Sequence, residues 1–218
     1  MYPWRQTILD LFKAKVSFRR PVSSFSVRTP PPSATREVPT PLVFCSAGEW
    51  APGARLRHST YSSFFTAKGF TCIESNFERP LEPSISTPED LMEHYSNELK
   101  ANLRMSSSPF PPVIFASGFA SLIAQTYISS NPAQGLFLIS PPPSNASLYP
   151  GTLPTPLTEF NFELKFPLAL MARAKEMVVI KAQSRFSESQ WVDLIEVEDL
   201  AGEQALEKVE QWLDELGI

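Results

Sequence analysis

PPVIFASGFASLIAQTYISSNP, Pro111 to Pro132, is the stretch whose reading decides the fold. Its apolar run Pro112 to Ser117 is a short buried strand, closed by prolines on one side and by Gly118 on the other. From Phe119 to Ser130 the apolar residues continue at helical length, and Asn131-Pro132 ends them. GLFLISPP follows, Gly135 to Pro142, with a second buried strand over Leu136 to Ser140. Strand, sharp turn, helix and strand form a βαβ unit, and such units build parallel sheets covered by helices.

Working outward, short apolar runs alternate with longer amphipathic ones from Thr40 onward. Further strands are predicted at Pro41 to Ser46, Phe70 to Ser75, Met177 to Ala182 and Val192 to Val197. Further helices are predicted at Ala54 to Lys68, Pro88 to Arg104, Glu159 to Ala174 and Gly202 to Leu216. The second carries its own start signal, with Thr87 as cap, Pro88 at the first helical position and Asp90 at the third. The last places Leu206, Val209, Leu213 and Leu216 on one stripe that should cover the sheet. The fold class is α/β, a three-layer α/β/α sandwich on a mostly parallel sheet. One connection resists this scheme. Gln183 to Trp191 is too short for a parallel crossover containing a helix, so either that crossover shrinks to a turn of helix or the strand ends lie elsewhere.

A strand turning this sharply into a helix needs small residues two places before and after the apex. Gly118 has Ala116 and Ala120 there, whereas Ser117 has Phe115 and Phe119, and Ser121 has Phe119 and Ile123. The segment resembles the nucleophile elbow of the α/β-hydrolase family, where G-x-S-x-G stands. In that register Ala116 and Ala120 replace the flanking glycines and Gly118 replaces the serine. PLVFCSAGEW, Pro41 to Trp50, is similar to the strand and oxyanion loop that often ends in His-Gly, here Ala47-Gly48. VVIKAQSRFSES, Val178 to Ser189, falls where the family carries its acid in a pattern like H-G-x-x-D, with Gln183, Ser184 and Arg185 in its place. IEVEDLAGEQ, Ile195 to Gln204, falls where the histidine should follow the last strand, and no histidine occurs after His94. The resemblance implies a reduced α/β-hydrolase-like domain without the first antiparallel strands or a large cap.

It also implies a pseudoenzyme. A serine is a poor nucleophile until a histidine takes its proton, and that histidine needs an acid to hold its tautomer. Backbone donors at Gly48 and Phe119 would form a vestigial oxyanion hole with nothing to attack the bound carbonyl. The alternative is a residual serine hydrolase acting on an ester or acyl substrate through Ser117 or Ser121, with His58 as base; a third reading is a lipid or acyl-group binder. The pseudoenzyme reading expects both hydroxyls to point away from His58, and a hydroxyl within about 3.2 Å of an imidazole nitrogen would favour the residual enzyme. His58, beside Arg55 and Arg57, is expected at the surface, and His94 on a solvated helix face. Cys45 and Cys72 lie in apolar runs at a spacing that suits neither zinc nor redox chemistry, so no metal and no cofactor is expected. Phe160, Phe162 and Phe166 are expected to pack against the sheet.

Charge divides the chain. Residues 1–36 hold seven bases (Arg5, Lys13, Lys15, Arg19, Arg20, Arg28, Arg36) against Asp10, a net of +6; the whole chain is −4, which leaves −10 for residues 37–218. That body is unsuited to neutralising nucleic-acid phosphates. The basic arm, with Trp4, Ile8, Leu11, Phe12 and Val16 near helical spacing, has the character of a mitochondrial presequence. It runs into a proline-rich linker, Pro21 to Pro41. The expected organisation is a presequence and linker over 1–36 and a folded domain over 37–218. The expected setting is the mitochondrial matrix, with a protein partner or a small acyl ligand and no membrane span.

Overall fold

The computed structural model describes residues 23–80, 85, 87–106 and 108–218; the arm up to residue 22 lies outside the described residues. Seven strands form one sheet: β1 (Ser24–Arg28), β2 (Val38–Ser46), β3 (Phe70–Asn76), β4 (Val113–Ser117), β5 (Gly135–Ile139), β6 (Leu168–Ala172) and β7 (Val192–Glu196). Their order is β1-β3-β2-β4-β5-β6-β7, with every neighbour pair parallel except β1 with β3. The helices are α1 (Ala54–Ala67), α2 (Pro88–Met105), α3 (Ala120–Ile128), α4 (Ala174–Gln183) and α5 (Glu203–Glu215). Tyr61 and Phe65 of α1 and Val209, Trp212 and Leu213 of α5 share one core with Phe44, Phe115 and Phe137. On the other face Met92, Tyr95 and Leu99 of α2, Leu122 of α3 and Met177 and Ile180 of α4 pack over Val43, Ile114 and Leu138. The three-layer α/β/α sandwich is therefore present.

The central strands are buried on both faces, which explains their uninterrupted apolar runs. The cap of α2 forms as its sequence dictates, the Thr87 hydroxyl accepting from the Asp90 N–H at 3.1 Å.

Three expectations are corrected. Met177 to Ala182 is not a strand; its β-branched run lies in α4, where Met177 and Ile180 face the core at helical spacing and Val178 is 69% exposed. Glu159 to Ala174 is not a helix. Phe160, Phe162, Leu164 and Phe166 alternate with exposed neighbours in an extended segment packed on the core, and LALMA, Leu168 to Ala172, is the buried strand β6. Moving the strand there removes the short-crossover difficulty, because α4 now spans the β6–β7 connection. Third, the linker region contains β1, so one antiparallel strand is retained. Its residues pair from Ser24 with Asn76 to Arg28 with Cys72, and Arg28 bonds Glu74 at 2.7 Å and the Ser59 hydroxyl at 2.9 Å.

Because β1 covers the edge of β3, a chain beginning at Glu37 should be less stable by about 2 kcal/mol or more than one beginning at Ser23, from cross-strand pairs worth roughly 0.2–1 kcal/mol each. Urea unfolding of the two truncations measures the difference. Equal midpoints would show that β1 contributes nothing.

Candidate functional site

Gly118 sits between β4 and α3 as the sequence requires, with φ +55, in the left-handed region that favours glycine. Its N–H donates to Ile139 at 3.0 Å, which ties the turn to the end of β5. A side chain built on Gly118 would begin 3.2 Å from the Ala51 methyl, so the loop after β2 closes over the apex. Trp50 of that loop stacks on Phe119 with ring centroids 4.5 Å apart, and the Arg79 guanidinium lies 5.4 Å from the Trp50 ring. Among the described residues, the N–H groups of Gly48 and Phe119 donate to no backbone oxygen. A groove of about 390 Å³ opens beside Trp50, walled by Arg79, Leu91, Leu153 and Pro154.

The two serines diverge. Ser121 is buried in α3 and its hydroxyl turns back toward the Ala116 carbonyl at 3.5 Å. Ser117 does not turn away from His58. Its Oγ lies 2.7 Å from His58 Nε2, within the distance at which proton abstraction is geometrically feasible. The reason is strand alternation. Phe115 and Ser117 share the α1 face, and α1 aims His58 at that face, so the expected surface histidine is 1% exposed and the hydroxyl it meets is 0% exposed. The sequence signal was the spacing of His58, Tyr61 and Phe65, all on the inward stripe of α1. His94 is half-buried on α2, its ring against Tyr95.

The electrostatics of this pair differ from those of a working dyad. Burial, with a smaller contribution from Arg57, pushes His58 down to about 3 from its ordinary 6.5, and its Nδ1 has no hydrogen-bond partner among the described residues. A base that weak drives proton transfer poorly at neutral pH, and no carboxylate is present on Nδ1 to stabilise an imidazolium.

The corrected strand also changes what surrounds the end of the sheet. Gln183 ends α4 and Ser184 and Arg185 lead into the short turn after it, while β6 ends at Ala172, four residues before Glu176. Ser140, at the end of β5, holds φ +45 and donates to Glu176 at 2.6 Å, and Arg173 donates to the same carboxylate at 2.6 Å. Burial opposes the charge of Glu176, but the Ser140 and Arg173 hydrogen bonds hold its carboxyl below the usual range. The loop after β7, Val197 to Leu200, offers Glu198 and Asp199 where a histidine is sought. A cleft of about 720 Å³ between these ends is lined by Arg173, Glu176, Glu196 and Glu198 and by no serine, cysteine or histidine. Cys45 and Cys72 are buried and unpaired, with burial raising both thiols. Among the described residues no three His, Cys, Asp or Glu side chains gather as metal ligands, and no helix is long and apolar enough to cross a membrane.

The buried neutral histidine makes a pH prediction. Its folded pKa lies below its unfolded value, so the unfolded chain binds more protons between about 6.5 and 3 and stability falls as pH drops through that window. From pH 6.5 to 5 the loss should reach about 1.5–2 kcal/mol. Urea unfolding at the two pH values should show this for the wild type and a much flatter response for His58→Gln. An unchanged slope in the variant would contradict a buried neutral His58.

No protein-family model matches the chain, and no curated protein matches it in sequence. Solved structures do. An α/β serine hydrolase homologue from Coxiella burnetii superposes with a TM-score of 0.57 at 14% identity, covering 89% of this chain and 91% of the other. An α/β hydrolase from the sediment metagenome of the Mar Chica lagoon gives 0.61 at 10% identity, covering 92% and 98%. A lidless α/β serine hydrolase from Xanthomonas campestris gives 0.53 at 12% identity, covering 89% and 87%. At these identities the likeness establishes architecture alone. The seven-stranded, mostly parallel sheet between layers of helices matches the α/β-hydrolase fold of these structures.

Proposed function

We propose that the protein acts by binding and not by turnover, as an α/β-hydrolase-like accessory or assembly factor in the mitochondrial matrix. The observation that carries this reading is the apex itself. Gly118 supplies no nucleophile, and the Ala51 methyl stands 3.2 Å from where a side chain would start. The Trp50–Phe119 stack and the adjoining groove offer apolar surface for a partner or an acyl chain in its place.

A second reading, a residual serine hydrolase on an ester or acyl substrate, is favoured by the 2.7 Å contact of Ser117 with His58. Against it stand the sealed hydroxyl, the weakened base and the missing acid on Nδ1. A fluorophosphonate probe separates the two, because it labels an activated serine. The wild type should not be labelled. Gly118→Ser should stay inactive and lose about 1 kcal/mol of stability through its left-handed backbone and the Ala51 contact. Stoichiometric labelling, abolished by Ser117→Ala, would instead make this a hydrolase with a displaced nucleophile.

The localisation rests on the +6 arm ahead of a −10 body. Residues 1–40 fused to a fluorescent reporter should carry it into mitochondria. A diffuse cytosolic signal removes the mitochondrial part of the proposal.

A further inference from the structure

A groove of about 280 Å³ lies at the opposite end of the sheet from Gly118, beside the N-terminal ends of β2 and β4. The fold gathers its wall from three elements and a loop. Pro41 and Pro112 stand near those strand ends, Lys100 and Arg104 lie one turn apart at the end of α2, and Tyr127 comes from α3. The loop from α2 to β4 closes the side with Phe110, which is 49% exposed.

Tyr127 is the group that packing alone does not explain. Its side chain is 6% exposed in the core that α2 and α3 share. Asn131 donates to its carbonyl at 3.0 Å, but its hydroxyl has no partner among the described residues. Unlike His58 Nδ1, that hydroxyl is not sealed: it stands half-buried where the ring meets the groove. Burial raises it above its ordinary range, so it is a donor at neutral pH, and Arg104 is near enough to oppose the rise.

Charge and size set the class of ligand. The wall carries two cations and no carboxylate in a body of net −10, and neither Lys100 nor Arg104 has an ion-pair partner among the described residues. The C-terminal ends of α2 and α3 bring about half a negative charge each, so the two full positive charges prevail. The remaining wall is mostly proline rings, Leu103 and Phe110, an apolar surface suited to a flat ring. At roughly 30 Å³ per water the groove holds about nine waters' worth of volume, room for one ring and not for a long chain.

We propose that this groove binds a small aromatic carboxylate, its ring against Phe110 and the prolines and its carboxylate accepting from the Tyr127 hydroxyl between Lys100 and Arg104. The site is remote from the Gly118 turn and does not depend on it: probe labelling at Ser117 would overturn the binding-protein reading and leave this groove's chemistry intact.

The chain has five tyrosines, so tyrosine labelled with ¹³C at the phenol carbon gives five signals in the full-length protein, and Tyr127→Phe identifies its own by loss. Sodium benzoate, added at constant ionic strength, should move the Tyr127 signal to saturation with a Kd on the order of 1 mM and leave Tyr61 and Tyr95 in place. Benzamide, which lacks the charge, and acetate, which lacks the ring, should each bind about tenfold more weakly. Followed on the benzoate signals, Tyr127→Phe should weaken binding about tenfold while keeping the urea midpoint of the wild type, because no protein group uses the hydroxyl it removes. Arg104→Ala should weaken binding about threefold, the worth of one exposed ion pair. A stationary Tyr127 signal, or undiminished binding to Tyr127→Phe, overturns the site. Equal binding of benzamide, or undiminished binding to Arg104→Ala, overturns the carboxylate assignment, and equal binding of acetate overturns the aromatic one.

Discussion

A ladder of three phenylalanines fixes the register on which the remaining structure depends. Phe44, Phe115 and Phe137 are in-register neighbours on β2, β4 and β5, and their rings stack at 5.0 and 5.2 Å. Phe65 of α1 lies over Phe115 at 6.5 Å, and Trp212 of α5 meets Phe137 edge-on at 5.2 Å. Each ring pair adds roughly 0.5–1.5 kcal/mol beyond its buried area, and a one-residue slip of β4 would forfeit the three that involve Phe115 while turning Ile114 and Ala116 to the wrong face. The register in turn decides that Ser117, two residues beyond Phe115, faces α1.

That placement separates two features which a working serine hydrolase combines. The turn at Gly118 joins strand to helix through a left-handed residue with no side chain. The hydroxyl and imidazole that do meet are one residue earlier and on the α1 face, where they fasten helix to sheet as a neutral, sealed pair. The same burial that shortens the hydrogen bond's access to water depresses the basicity of His58. Glu176, just beyond the end of β6, is held by Ser140 and Arg173.

The central βαβ unit was legible because its two strands are continuous apolar runs and its turn has one glycine between small residues. α2 was legible from its cap, and α5 from its stripe. The region from Glu159 to Ala182 was not, for two reasons. EFNFELKF, Glu159 to Phe166, alternates polar and apolar residues with a period of two, which marks an extended segment, yet the number of apolar residues invited a helix. LALMA and MVVIKA then carry propensities opposite to their structures, since Leu, Ala and Met favour helices and Val and Ile favour strands; position in the sandwich overrode both. That one exchange also hid the Ser140–Glu176–Arg173 cluster, which lies just beyond the end of β6. His58 was misjudged because its charged neighbours Arg55 and Arg57 flank it in sequence, while helical spacing groups it with Tyr61 and Phe65. β1 was hidden by the prolines around it, and prolines are compatible with an edge strand.

The edge strand also bears on the order in which the chain can fold. β1 pairs not with the next strand but with β3: Arg28 meets Glu74 across a separation of 46 residues, with β2 and α1 in between. Closing a loop of that length costs entropy before any pairing is gained, and the template that β1 joins exists only once β3 has docked beside β2. β1 is thus among the last of these strands to settle. Until it does, the exposed side of β3 is an open edge to which any other extended segment can add.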